Sequence, residues 1–282
     1  MYKGYDLSLS EEDIIFLGSV NSASISTIKN AMKAEKKSIQ SKITSFFEET
    51  ISLDSYKLDT GALDGTKMID DWFPIINADV FISHSHKDQN LAISLAAWLY
   101  EQFGLNSFID STVWGYSNDL LRSLDEKYCY NKNTKTFSYE KRNVTTSHVH
   151  MMLATALSNM INNSECLFFL NTPNSITVDK EILDNEDYTY SPWLYGELST
   201  AMIVEKRYPR SLEFELRKSL YESSQSLEVA DEFLIRYKAD LSQLTKLDKY
   251  DLNLWFNNVK RSKNKGSSTL DRLYLETILE KE

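Results

Sequence analysis

The sequence predicts an α/β fold built on a doubly wound, mainly parallel sheet. Three short apolar stretches predict buried strands: "DVFIS" at residues 79–83, "NSFID" at 106–110 and "ECLFFL" at 165–170. A helical pattern separates each from the next, and strand, helix and strand within about thirty residues form a βαβ unit with parallel pairing. Ligands bind such sheets beyond the carboxyl ends of the strands, so the loops after these strands are the expected site.

Composition limits the class of protein. The chain has 282 residues, 42% of them apolar, and a formal net charge of -10. An acidic chain is a poor partner for nucleic acid or an anionic membrane, so neither is predicted. No apolar run is long enough to span a bilayer and no signal peptide is recognised, which predicts a cytoplasmic protein. Cys129 and Cys166 lack CxxC spacing and are predicted to be reduced thiols.

Residues 1–70 are predicted to form a helical N-terminal segment. Ser10 and Asp13 have the spacing of a capping box, and residues 24–51 carry apolar side chains at mostly helical spacing. A turn-rich stretch then leads to a boundary near Asp70. We assign residues 71–210 to the core domain and 211–282 to a C-terminal α/β extension that completes or flanks it.

The core elements follow in order. A helix over residues 88–103 ends at Gly104, and after the second strand a loop around Gly115 leads into a helix with Ser117 as its N-cap. Residues 129–146 are polar and predict an insertion, and residues 147–164 predict a helix. Beyond the core, residues 231–244 alternate and predict a strand, and two closing helices are predicted over 250–262 and 268–281.

The helix after the third strand carries the most specific pattern, "SPWLYGEL". Pro192 suits its first turn, and Trp193 and Glu197 are four residues apart, which places them on one helix face. One interpretation is a half-buried tryptophan beside a solvated glutamate. The other is half of an active site.

These motifs together resemble the Toll/interleukin-1 receptor (TIR) domain, of the bacterial kind and with a flavodoxin-like sheet. "DVFISHSHKD" resembles the family's first strand, "FID" with "STVWGYSNDLL" its second strand and long loop, and "LFFLNTPNS" its third strand. "SPWLYGEL" is similar to the Trp-x-x-x-Glu motif of NAD-cleaving members. The resemblance covers about half of the chain. The N-terminal helices, the insertion at 130–145 and the C-terminal segment lie outside it.

The resemblance implies NAD+ glycohydrolase or ADP-ribosyl cyclase activity in anti-phage defence, of a Thoeris-like type. NAD+ is then a consumed substrate and no cofactor is expected. The product, linear or cyclic, is expected to activate a separate effector protein, and the domain to self-associate through its loops. Alternatives that the sequence leaves open are NAD+ depletion by hydrolysis, a non-enzymatic adaptor, and, more distantly, a nucleoside deoxyribosyltransferase. The adaptor would be favoured if Glu197 pointed to solvent, away from the strand ends.

The chemistry fits one carboxylate. Nicotinamide leaves as a neutral molecule, so no general acid is needed, and the developing oxocarbenium is stabilised by a carboxylate near the anomeric carbon. The resemblance gives this catalytic role to Glu197, while Trp193 forms an apolar wall. Other candidates for substrate binding follow the first two strands: Phe81, Ser83, His84, Ser85, Asp110, Trp114 and Gly115.

Each of these candidates has a structural alternative. Ser83, His84 and Ser85 suit a solvated turn or a helix cap, and Trp114 suits loop packing or an assembly interface. Some NAD-cleaving relatives have basic residues after the first strand, whereas this chain has "SHK" and only Lys87 to replace that charge. His148 and His150 form an HxH, but no third ligand is suitably spaced, so no metal is predicted. Neither a GxGxxG nor a P-loop motif occurs.

Overall fold

The computed structural model describes residues 1–17, 53–109, 114–178, 187–204, 206–207, 237–262 and 265–279, with the single positions 26 and 30. The amphipathic helix predicted over 24–51 falls almost wholly outside these residues. The chain divides into two compact units. Unit 1 comprises Met1–Ile25, Asn77–Ile109 and Ile161–Glu282, and unit 2 comprises Ser26–Ile76 and Asp110–Met160. The domain boundaries expected near residues 70 and 210 stay predictions.

The described strands form three sheets. In chain order they are β1 (Lys3–Leu7), β2 (Val80–Ser83), β3 (Ser107–Ile109), β4 (Tyr130–Asn131), β5 (Thr136–Phe137), β6 (Cys166–Leu170), β7 (Thr177–Val178), β8 (Asp187–Thr189), β9 (Tyr237–Lys238) and β10 (Thr245–Leu247). The central sheet has the order β10-β1-β6-β2-β3, and every pair in it is parallel. The prediction of an α/β fold with a parallel central sheet is confirmed.

Eight described α-helices accompany the strands. They are α1 (Glu11–Phe16), α2 (Gly65–Trp72), α3 (Gln89–Phe103), α4 (Trp114–Leu124), α5 (Tyr139–Asn163), α6 (Pro192–Ile203), α7 (Lys249–Ser262) and α8 (Ser268–Leu279). Gly104 ends α3 in a left-handed conformation with φ of 70°, as its sequence position predicted. None of the described helices is long and apolar enough to cross a bilayer.

The N-terminal segment contains a strand that the prediction of a helical segment omitted. Strand β1 pairs with β6 on one side and with β10 on the other, so it is an interior strand of the central sheet. The capping box that follows is confirmed. The Ser10 amide donates to Asp13 Oδ2 at 2.9 Å, and the Asp13 amide donates to Ser10 Oγ at 3.3 Å, immediately before α1.

One face of the central sheet is covered by α8, with α7 and α3 packed beside it. Tyr5 of β1 makes an edge contact with Phe168 of β6 and stacks parallel to Tyr274 of α8, at centroid distances of 5.6 and 6.5 Å. Trp255 of α7 stacks on Phe103 of α3 at 3.8 Å. These aromatic rings are buried and form much of the core of unit 1.

The opposite face carries the next residue along each strand. Asp6 is in register with Phe169, and Phe169 is in register with Ser83, so the three side chains lie in one row. Helix α6 covers this face, because its Glu197 contacts Ser83. With helices on both faces, the sheet is consistent with a doubly wound fold.

Three details of unit 2 differ from the prediction. Gly115 and Ser117 lie inside α4, so Gly115 is not in a loop and Ser117 is not the N-cap. The predicted insertion is the β4–β5 hairpin followed by the first turns of α5, which begins at Tyr139 rather than near residue 147. Arg142 of α5 reaches back over this stretch and donates to the buried carboxylate of Asp125 at 2.8 Å.

The C-terminal part of unit 1 also differs from its prediction. In the described part of residues 231–244, only Tyr237–Lys238 is a strand, and it pairs with β8 in the small β7-β8-β9 sheet. The strand stops because Asp240 accepts a hydrogen bond from the Ser242 amide at 2.9 Å, which forms a turn. The two closing helices are confirmed as α7 and α8.

Candidate active site

The site is centred on a hydrogen bond between two elements far apart in the chain. Ser83, the last residue of β2, donates from Oγ to Glu197 Oε2 of α6 at 2.6 Å. Ser83 is 0% and Glu197 2% exposed. A distance this short is typical of a hydroxyl bound to an ionised carboxylate. Two residues that the sequence analysis singled out separately therefore form one buried polar pair.

Local sequence explains how α6 presents this glutamate. Ser191 is the N-cap, and its side chain accepts a hydrogen bond from the Leu194 amide at 3.3 Å. Pro192 occupies the first turn, where its missing N–H is not needed. These residues fix the start of α6, and Glu197 then lies in the second turn, directed at the carboxyl end of β2.

The burial of the Trp193–Glu197 pair differs from the ordinary interpretation at the glutamate. Trp193 is half-buried, whereas Glu197 one turn later is almost fully enclosed. A solvated glutamate beside a half-buried tryptophan is therefore excluded. A carboxylate is costly to bury, and one placed at the ligand-binding edge of a parallel sheet is a candidate for function.

The residues around Ser83 divide into enclosed and open groups. Phe81 is 0% and His84 2% exposed, and His84 Nδ1 is 3.4 Å from the carbonyl oxygen of Ile82. Ser85 is half-buried and precedes a single 3-10 turn. The alternative of a solvated turn thus does not describe Ser83 or His84. Substrate contacts by Phe81, His84 and Ser85 stay predictions.

A second polar cluster, missed by the sequence analysis, joins the loops after β2 and β6. Asp88, just before α3, accepts hydrogen bonds from Thr172 Oγ1 at 2.5 Å and from Asn174 Nδ2 at 2.7 Å. The Thr172 hydroxyl in turn accepts from the Asn174 amide at 3.1 Å. Asp88 therefore holds the loop after β6 against the start of α3. The signal available in the sequence was the Asp of "SHSHKD", a good helix-capping type that makes no cap hydrogen bond here.

A third carboxyl group lies at the same edge. Asp6 of β1 is 3% exposed, and burial raises the pKa of its carboxyl group above the usual value. The like charge of Asp187 raises this pKa further, while a hydrogen bond from Asn171 and the charge of Lys246 lower it. Nothing in the sequence marked Asp6, because the strand that carries it was not predicted.

The three candidates that follow β3 lie at the start of residues 110–160. Asp110 lies outside the described residues, and Trp114 and Gly115 begin α4. All three belong to unit 2, whereas Ser83 and Glu197 belong to unit 1. Ligand contact by Asp110, Trp114 and Gly115 stays a prediction.

Two further groups of candidates lie elsewhere in the described chain. His148 and His150 are exposed on α5, on either side of the buried Val149. Cys129 and Cys166 are both buried free thiols, and burial raises the pKa of each. A thiol with a raised pKa is a poor nucleophile, so neither cysteine is a candidate for catalysis.

Comparisons with family models, curated proteins and solved structures found no match to this chain.

Proposed function

We propose that this chain cleaves the nicotinamide N-glycosidic bond of NAD+ as a TIR-type enzyme, with Glu197 as the catalytic carboxylate. The observation that carries the proposal is the buried hydrogen bond from Ser83 to Glu197. It joins the end of the first TIR-like strand to the Trp-x-x-x-Glu-like helix at the edge where parallel sheets bind ligands. Structural packing alone gives no reason to enclose a carboxylate there.

The order of strands is a second support. If β2 is counted as the first strand, β3 is the second and β6 the third. Their spatial order β3-β2-β6 is then the 2-1-3 order of a flavodoxin-like sheet, which TIR-like motifs on these strands require. The crevice between β2 and β6 is where the chain changes direction across the sheet. The next position departs from that scheme, because the N-terminal strand β1 fills it.

The proposed chemistry needs few groups. The electron pair of the glycosidic bond leaves with nicotinamide, which departs as a neutral molecule. Positive charge develops on the ribose, and the Glu197 carboxylate stabilises it through proximity and hydrogen bonds to ribose hydroxyls. Ser83 holds that carboxylate in one orientation before substrate binds, which lowers the cost of organising the site. The half-buried Trp193 supplies an apolar wall.

The fate of the ADP-ribosyl group depends on which nucleophile reaches the anomeric carbon. Water gives ADP-ribose and NAD+ depletion, whereas a nitrogen or hydroxyl of the bound nucleotide gives a cyclic product. The proposal includes a role for such a product as a signal to a separate effector protein. The adaptor alternative required a Glu197 directed to solvent, and the enclosed position of Glu197 favours the enzyme.

The direct test is cleavage of NAD+ by the purified protein, with and without a crowding agent that promotes self-association. Nicotinamide and nucleotide products are identified by chromatography and mass spectrometry. Glu197→Gln keeps the shape of the side chain and its hydrogen bond from Ser83, and we expect it to reduce nicotinamide release by at least about 100-fold.

Glu101→Gln is the matched control. Glu101 is exposed in the last turn of α3, which lies toward the amino ends of the strands. It should cleave NAD+ like the unaltered protein. Absence of nicotinamide release under every condition, or full activity in Glu197→Gln, would overturn the assignment.

A further inference from the structure

Asp6 is placed to take part in the same reaction from the other side of the crevice. It is in register with Phe169 of β6, which is itself in register with Ser83 of β2. Residues in register on parallel strands point to the same face, so Asp6 and Ser83 lie in one row with a phenylalanine between them. Helix α6, which carries Glu197, covers this face.

Asp6 and the Ser83–Glu197 pair lie on either side of Phe169 in this row. Neighbouring strands are about 4.8 Å apart, so the backbones of Asp6 and Ser83 are separated by about 10 Å. Glu197 Oε2 is 2.6 Å from Ser83 Oγ and thus marks the Ser83 end of the row. In glycoside hydrolases that use water directly, the two carboxyl groups themselves are about 6.5–9.5 Å apart, so this row brings Asp6 close to the range in which such a pair works.

The carboxyl group of Asp6 is enclosed and only partly hydrogen-bonded. The side chain is 3% exposed, and its Oδ1 has no hydrogen-bond partner among the described residues. A buried oxygen without a partner costs stability, and structural carboxylates normally use both oxygens. Asn171 is the hydrogen-bond donor to the carboxyl group, and Lys246 is a nearby cation. One oxygen is thus held, while the other has hydrogen-bonding capacity that no described residue uses.

Its acid–base character also suits proton transfer. A general base works best when its pKa approaches the working pH, and burial shifts the pKa of Asp6 in that direction. The charged groups that face it are Lys246 of β10 and Asp187 of β8. Lys246 keeps the carboxyl group ionisable despite burial, whereas Asp187 makes it more basic.

We propose that Asp6 is the general base that activates the acceptor in this reaction. As nicotinamide leaves with the electron pair of the glycosidic bond, the oxygen of a water molecule bonds to the anomeric carbon. The proton of that water passes to Asp6 Oδ1, and the products are nicotinamide, ADP-ribose and a proton released to solvent. The inference rests on the proposed function, since it assigns a second residue to the same reaction.

The first test uses Asp6→Asn and Asp6→Ala in NAD+ cleavage. We expect about a 100-fold loss of hydrolysis in both variants, because general base catalysis typically contributes at least that factor. Sodium azide should restore nicotinamide release in Asp6→Ala and give ADP-ribosyl azide, since azide attacks without losing a proton. A merely structural residue would show no such rescue.

The matched control is Asp271→Asn. Asp271 also has a buried oxygen without a partner among the described residues, but it lies on α8, on the Tyr5 face of the sheet. The Asp271→Asn variant should hydrolyse NAD+ at the rate of the unaltered protein. Full hydrolysis in Asp6→Asn, or a folded, inactive Asp6→Ala that azide does not rescue, would overturn the role of Asp6 and leave Glu197 in place. Loss of the proposed function would appear instead as an inactive unaltered protein, and the role of Asp6 would fall with it.

A measurement on the unaltered protein covers the case in which the variants do not fold. If Asp6 acts as a base, kcat/KM for NAD+ should fall as pH falls through its pKa, which lies above the ordinary value of 3.8. Where Asp6→Asn does fold, its residual activity should lack this decline. A kcat/KM that is constant down to pH of about 4 would contradict the inference.

Discussion

Removing the Ser83 hydroxyl tests the central interaction of the site without changing its charge. Ser83→Ala deletes the donor to Glu197 Oε2, a bond of 2.6 Å between two enclosed side chains. Hydrogen bonds to charged groups contribute about 1.5–3 kcal/mol, and the loss of a donor also leaves a buried carboxylate less well solvated. We expect the free energy of unfolding to fall by about 2 kcal/mol.

Urea denaturation measures this change. With a slope of about 3 kcal/mol per molar urea, a loss of 2 kcal/mol lowers the midpoint by about 0.7 M. The buried Trp98 and Trp255 provide fluorescence from the core of unit 1, and circular dichroism follows the helices. In a Glu197→Gln background the same substitution should cost only about 1 kcal/mol, because the bond is then between neutral groups.

Ser85→Ala is the control for Ser83→Ala. It makes the same chemical change two residues later, at a half-buried serine whose side chain makes no cap hydrogen bond. Its effect should stay within about 0.5 kcal/mol. If Ser83→Ala were no more destabilising than Ser85→Ala, the hydrogen bond would not hold Glu197 and the premise of a pre-organised site would fail.

Three further changes are expected to alter the free energy of unfolding, measured by urea denaturation. Asp88→Ala removes the acceptor of two side-chain hydrogen bonds and should cost about 2–3 kcal/mol. Lys87→Ala, at the exposed neighbouring residue, should cost little. Equal effects would refute the role of Asp88 in holding the loop after β6. Gly104→Ala should lower the free energy of unfolding by about 1–2 kcal/mol, because Gly104 has a left-handed φ. Gly196→Ala should raise it by about 0.5–1 kcal/mol, because Gly196 lies inside α6 with open space at its Cβ position. Changes of the same sign in both variants would contradict this pair of expectations. Asp6→Asn should raise the free energy of unfolding at pH 7, because the raised pKa of Asp6 means that folding disfavours its ionised form. The gain should vanish as pH falls through that pKa. A gain that persists at pH of about 4 would be evidence against the raised pKa.

The elements that the sequence predicted well are those whose signals are local. Strands β2, β3 and β6 are short apolar runs between polar residues, and Ser191 and Pro192 indicate the start of α6. The position of Glu197 followed from these, because a helix after a parallel strand starts near the ligand edge. Its hydrogen bond to Ser83 joins residues 114 apart in the chain, and no local pattern encodes that distance.

Strand β1 was missed because its signals are not local. Strand β1 is only five residues long and mixes Lys, Gly and Asp with Tyr and Leu, so it lacks the continuous apolar run of a central strand. Its burial depends entirely on its neighbours β6 and β10. Asp6 was missed for the same reason, since a polar residue becomes a site candidate only when its strand is placed in the sheet.

The interior position of β1 also bears on how the protein is made. Residues 3–7 are synthesised long before their two partners, which are residues 166–170 and 245–247. Strand β1 must therefore wait until residue 247 has been synthesised before both of its edges can be covered. Such long-range parallel pairing is slow, and until it is complete β1 or β6 presents an open edge to other chains. A nascent or truncated chain that ends before residue 245 would thus be prone to aggregate.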